Sequence, residues 1–271
     1  MTATAGTRSP LAAVAPEPSR APAPSPTPRP LGTVTDRGTV RHDSVRAAGW
    51  SVVGTAKVTG SVEVGSARVR GTLAVGGRFS ADEVDARGNL EVEGPFDVRG
   101  PFSSRGTLRL AAIAHAVDLD VEGVARFAGA VTVDRTSSVR GVLVAPSFTA
   151  GVLRIAGAAH IPGRVRALSV DATFHEASEL GTIEARSVRL RGTVPGLVDK
   201  VFFHERKVVV ERIDAESADL AGVDVGLVRA QKVFLGRGCH VTAVEGTIVS
   251  RHPSSTVGPE SKSPPPYGLR R

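Results

Sequence analysis

Glycine recurs along this chain with a period too regular for an ordinary globule. Gly54, Gly71, Gly88, Gly106, Gly123 and Gly141 are separated by 17, 17, 18, 17 and 18 residues. Further glycines subdivide the period: Gly54, Gly60, Gly65 and Gly71 lie 6, 5 and 6 apart, and Gly88, Gly94, Gly100 and Gly106 all lie 6 apart. Between them run short alternating segments such as SVEVG, TLAVG and NLEVEG. Alternation over such a length specifies a strand with one buried face. Glycine at a corner supplies positive φ, so the chain can turn sharply without steric cost. Three short strands per repeat predict one triangular coil, and repetition of the coil predicts a solenoid.

In-register coils should align apolar residues in columns. One column reads Val62, Phe79, Phe96, Ile113, Val131, Phe148, Val165, Ile183. A second reads Val58, Val75, Val92, Leu110, Phe127, Val144, Ile161, and a third Leu73, Leu90, Leu108, Ala125, Val142, Ala159. The expected fold is therefore all-β, a triangular β-helix with coils of 17–18 residues. A left-handed hexapeptide helix keeps a stricter six-residue period, so the looser subdivision here favours the right-handed form. Roughly twelve coils at about 4.8 Å each make a rod on the order of 55–60 Å long.

Composition agrees. Aromatics are 4% of the chain, with one Trp and one Met, which is too little bulk to fill a single wide core at native density. Residues 1–38 form a Pro/Ala-rich tail with prolines at 22, 24, 26, 28 and 30, expected to be disordered. Residues 39–250 are expected to form the β-helix, with an irregular coil at 195–210, and residues 251–271 a second disordered, basic, Pro-rich tail. Of the net charge of +7, residues 1–40 carry four Arg against two acids, and residues 251–271 carry four cations against Glu260. The body retains only about +2, so a basic groove along it is not expected. The tails could touch an acidic surface, lipid or nucleic acid.

A single cysteine, Cys239, excludes an intrachain disulfide framework. Leu11–Ala15 is too short for the apolar core of a secretory signal, and no apolar run is long enough to span a bilayer. A cytoplasmic location is expected, with membrane association only through the tails.

Chemistry-bearing constellations are sparse. The seven histidines, at 42, 115, 160, 175, 204, 240 and 252, show no metal-ligand spacing. His115 aligns with Val98 and Val133, which would place it at an inward position. Cys239 and His240 are adjacent on a strand, so their side chains should diverge rather than form a nucleophile–base pair. GVDVG and GRGC lack the strand–loop–helix setting of a phosphate cradle. Asp82, Glu83 and Asp85 read as a solvated face, and Phe79 and Phe96 as core stacking. No catalytic residue, metal or cofactor is expected, nor any small-molecule substrate.

A solenoid has two ends, and an end without a cap exposes strand edges and a core cross-section. No amphipathic cap is visible at either end. Trp50 and Val52 near the first coils, and Phe234, Val241, Val244 and Ile248 in the last, are the candidate interface residues for end-to-end self-association.

The C-terminal ladder RIDAESADLAGVDVGLVRAQKVFLGRGCHVTAVEGTIV, between Pro-rich tails, resembles the bactofilins, a family of bacterial polymer-forming cytoskeletal proteins. The matching elements are Ile213 to Glu216, Val233 to Val241, and Glu245 to Val249. The resemblance implies a right-handed triangular β-helix that polymerises without nucleotide, head to head and tail to tail, through its terminal coils. It also implies a scaffold for envelope or morphogenesis proteins, and membrane association through the N-terminal tail. Two other readings compete. A hexapeptide-repeat acyltransferase would need strict six-residue periodicity and a histidine base. An exported β-helix adhesin would need a signal peptide.

Overall fold

Val, Leu, Ile and Ala alternate with polar residues over most of the chain, and that alternation is expressed as parallel β-structure throughout. In the computed structural model, residues 32–193, 208–258 and 260–261 are described. Fourteen strands follow in chain order: β1 (Thr33–His42), β2 (Val45–Val58), β3 (Val62–Val75), β4 (Phe79–Val92), β5 (Phe96–Leu110), β6 (Ala114–Phe127) and β7 (Val131–Val144). They continue as β8 (Phe148–Phe174), β9 (Ser178–Gly192), β10 (Val208–Ala221), β11 (Asp224–Leu235), β12 (His240–Arg251), β13 (Thr256–Val257) and β14 (Glu260–Ser261). Each strand pairs in parallel with its sequence neighbours in the order β1 to β13, and β14 also pairs with β12. The result is an all-β parallel solenoid of about 12 turns, with no helix among the described residues.

Each coil presents three inward pairs. In β4 they are Phe79 with Ala81, Val84 with Ala86, and Leu90 with Val92, all buried. Their neighbours Ser80, Asp85 and Glu91 face outward, as a period of two requires. Stacked coils repeat these pairs in register: Val62 pairs with Phe79, Leu73 with Leu90 and Val75 with Val92. The core is thus one column per inward position, apolar except where a buried serine such as Ser104 or Ser137 takes a place in it. Phe79 and Phe96 stack with ring centroids 5.3 Å apart and 12° between planes, as the sequence suggests. Phe102 meets Phe96 edge-on at the same separation.

The corner between the second and third sides carries the glycine clock. Gly54, Gly71, Gly88, Gly106, Gly123, Gly141 and Gly157 all have φ between 120° and 141°. They stack so closely that a Cβ on Gly88 would lie 2.1 Å from the Gly71 carbonyl oxygen. Left-handed φ and backbone-to-backbone approach together demand glycine at this corner.

Three of the expected column members are displaced by one residue. Phe96 pairs with Ala114, and Ile113 is 67% exposed. Ala125 pairs with Leu143 rather than Val142. Ala145 is buried where Val144 was expected, and Val144 pairs with the outward Arg126. The 18-residue coils hold an extra residue at a corner, and the register shifts there, between Val98 and Pro101, Ala116 and Leu119, and Val133 and Thr136, absorb it. Because the side-chain period is two, a one-residue offset exchanges inside for outside. The same offset turns His115 outward, and Ala116 takes the position in line with Val98 and Val133.

The ladder begins at Thr33, six residues before the expected boundary at 39. Asp36 and His42 occupy inward positions in β1 and obscure its alternation. At the other end β13 and β14 add two short rungs inside the segment expected to be tail. Residues 194–207 lie outside the described residues, as do 1–31, 259 and 262–271, so the rest of the expected tails and most of the irregular coil fall there. Val208–Val210 already belong to β10, which pairs in register with β9, so the ladder resumes without an offset.

Candidate functional site

The two ends of the solenoid differ chemically. At the N-terminal end β1 stacks on β2 with Val34 over Trp50, Asp36 over Val52, Val40 over Ala56 and His42 over Val58. Two of the inward positions are therefore polar. The Trp50 indole N–H donates to Asp36 Oδ2 at 2.8 Å, and His42 Nε2 lies 2.7 Å from the same oxygen. The His42 ring meets Trp50 edge-on at 6.1 Å. Asp36 keeps only 11% of its side chain exposed. A buried carboxylate is tolerated when hydrogen bonds compensate its lost hydration, and here both neighbours supply them. Among the described residues, the first coil at this end thus combines a small polar cluster with the apolar Val34 and Val40.

At the C-terminal end the last complete coil is covered unevenly. Val257 stacks on Val241, and β14 pairs along Val244–Glu245. Ser255 is buried near Cys239: its hydroxyl accepts from the Cys239 N–H and donates to the Gly236 carbonyl. The remaining side of β12, Thr247–Arg251, pairs with β11 and with no further strand among the described residues. Ile248 is half-buried there and Val249 is 51% exposed.

Of the six candidate interface residues, Trp50, Val52, Val241 and Val244 are buried inside the molecule, each covered by a neighbouring strand of its own chain. Phe234 and Ile248 remain half-buried and near the C-terminal end. Sequence reasoning missed Val249, which the register shift between Val233 and Phe234 turns outward. It also missed Asp36 and His42, whose only sequence signal was a break in the alternation of TVTDRGTVRH.

Along the sides, charges are answered from coil to coil. Arg46 faces Glu63, Arg99 faces Asp82 and Arg229 faces Glu245. His115 lies between Asp97 on the preceding coil, 3.0 Å from Nδ1, and Asp134 on the next, 3.2 Å from Nε2. Its pKa is raised above the ordinary value, chiefly by the hydrogen bond to Asp97, against a smaller opposing effect of burial and with further help from Asp134.

A groove of about 600 Å³ is lined by Val142, Ala158, His160, Glu176, Glu179 and Val209. His160 Nδ1 approaches Glu179 Oε2 at 3.2 Å there, but both side chains are more than half exposed. Such a solvated pair lacks the desolvation that tunes a catalytic base. Cys239 and His240 diverge as expected, Cys239 buried and His240 exposed. Burial raises the Cys239 thiol pKa, with hydrogen bonds from the Val223 and Gly222 backbone opposing it. Among the described residues, no group of three or more His, Cys, Asp or Glu is arranged to hold a metal ion.

These features define a structural class, a parallel β-solenoid with chemically distinct ends. No protein-family model, curated protein or solved structure matches the chain.

Proposed function

We propose that this protein is a structural subunit that self-associates end to end without nucleotide, forming filaments that scaffold other proteins. The observation that carries the reading is the open side of β12. Among the described residues, Thr247–Arg251 offers a parallel strand edge with no further strand on it, with Ile248 half-buried and Val249 exposed beside it. An edge of this kind is a template for a second chain, and a second copy presents the same edge. The resemblance of the C-terminal ladder to the bactofilins supports the same reading, with the cytoplasm as its site of action. At the N-terminal end, association would bring two Asp36–His42 clusters together, so contact there is polar where contact at the C-terminal end is apolar.

Negative-stain electron microscopy of the purified full chain, without nucleotide, tests the proposal. Filaments, or at least paired rods, are expected. Val249→Asp and Ile248→Asp place a charge at the open edge and are expected to shorten the filaments to single or paired rods. Monodisperse single rods at all salt concentrations would overturn the reading.

A further inference from the structure

The body's small net charge conceals a segregation that register alone reveals. The residue before each corner glycine forms one outward column: Arg37, Val53, Arg70, Arg87, Arg105, Glu122 and Arg140 follow one another in register from β1 to β7. On the side beyond the glycines a second outward column reads Arg41, Lys57, Ala74, Glu91, Arg109 and Arg126. Nine cations less the two carboxylates, Glu91 and Glu122, leave +7 on this belt. All nine cations are exposed. The outward residues between the columns are polar from β1 to β5, Thr39, Thr55, Thr72, Asn89 and Thr107, and Val124 continues the row in β6.

Ion pairing does not account for the belt. Arg105 meets Glu122, Arg87 meets Asp85 and Arg140 meets Asp120, all at exposed sites. Arg37, Arg41, Lys57, Arg70, Arg109 and Arg126 have no ion-pair partner among the described residues. Arg70, Arg87 and Arg105 stack directly on successive coils, and like charges facing across neighbouring strands destabilise a sheet. Elsewhere the register alternates sign, as in Arg46 over Glu63. Here it concentrates one sign, which an anionic partner would offset.

We infer that this belt is a docking surface for an anionic lipid bilayer. Register holds it as one continuous row of neighbouring coils across six rises, about 29 Å. A bilayer offers anions along that whole line. Single-stranded nucleic acid calls for aromatic stacking platforms, and the exposed large apolar residues among those described are aliphatic: Val53, Ile113, Leu168, Val209 and Val249. The belt lies on the side of the rod, so the inference stands apart from end-to-end assembly.

Flotation with lipid vesicles tests it, because filaments that pellet unaided do not float. The full chain is expected to float with phosphatidylcholine vesicles that contain phosphatidylserine, and not with phosphatidylcholine alone. Each cation near such a surface contributes roughly five-fold in partition. The triple variant Arg70→Gln, Arg109→Gln, Arg126→Gln, which breaks no ion pair, is expected to lose about a hundred-fold. A charge-matched triple away from the belt, Arg46→Gln, Arg99→Gln, Arg237→Gln, is expected to lose less than about three-fold. Circular dichroism checks that each variant is folded. If the belt triple does not fold, Arg70→Glu alone replaces it, with an expected loss of about ten-fold or more. The inference is overturned if the wild type does not float with anionic vesicles, or if both triples lose equally. Belt variants that float like the wild type would assign binding to the tails and overturn it too, as would binding to duplex DNA in place of vesicles.

Discussion

The Trp50 indole donates to the Asp36 carboxylate at 2.8 Å from one coil to the next, so an acid occupies an inward position in the first described coil, over the apolar Val52 of the second. Trp50 is the only tryptophan, and it is 2% exposed. Its fluorescence therefore reports this end alone. Asp36→Ala leaves the buried indole N–H and His42 without their shared partner. The expected cost is about 1–3 kcal/mol, concentrated in β1. The emission should shift to longer wavelength and quench more readily with iodide, while far-ultraviolet circular dichroism changes little. An unchanged spectrum would mean that Asp36 does not hold β1 in place.

Gly88→Ala tests the corner. The substitution combines a φ of 125° with a Cβ 2.1 Å from a backbone carbonyl that other coils hold in place. A loss of about 3 kcal/mol or more is expected, read as a lower thermal midpoint or as failure to fold. Gly32→Ala, where an added Cβ meets nothing within 4 Å, is the control and should be close to neutral.

His115 makes stability depend on pH in a defined direction. Its pKa in the folded chain is raised above the ordinary 6.5, mainly through Asp97. The charged form is thus favoured by folding. The contribution is complete below the unfolded value and disappears as pH rises through the folded value. Arg78 also faces Asp97, at 3.6 Å, and competes for its charge. The His115 side chain is 39% exposed, so solvent screening limits the gain to about 0.3 kcal/mol. The thermal midpoint of the wild type relative to His115→Asn should be higher at pH 5.5 than at pH 8, by about 1 °C. A difference that is constant across that range would contradict the pairing.

Cys239 should resist thiol reagents. Its side chain is fully buried, and burial pushes its pKa up, so both access and thiolate fraction are low. Modification by a disulfide reagent in native buffer should be roughly a hundred-fold slower than in denaturant. Fast native labelling would indicate that the last coil opens readily.

Much of the fold was legible because its determinants are local. The glycine period, the alternation between glycines and the Phe79–Phe96 stack each depend on residues within one or two repeats. The assignment slipped by one residue at Ile113, Val142 and Val144, where an 18-residue coil hides its extra residue in a corner. Periodicity counts residues, and the corner that absorbs an insertion is set by packing. Apolar residues near the chain's ends were natural interface candidates, yet Trp50 and Val244 lie beneath strands that sequence reasoning placed in the tails. The short rung Thr256–Val257 has no pattern of its own and forms only on β12.

The sequence by itself determined a repeating, thin-cored, all-β chain, because glycine φ and period-two alternation are properties of single residues and their nearest neighbours. Tertiary structure alone decided which side chains meet across coils. Arg70, Arg87 and Arg105 stand 17 and 18 residues apart in the chain, and hydrogen-bond register brings them into one column. A net charge sums over all sides of the rod, whereas a surface is made by the few positions that register places on one of them.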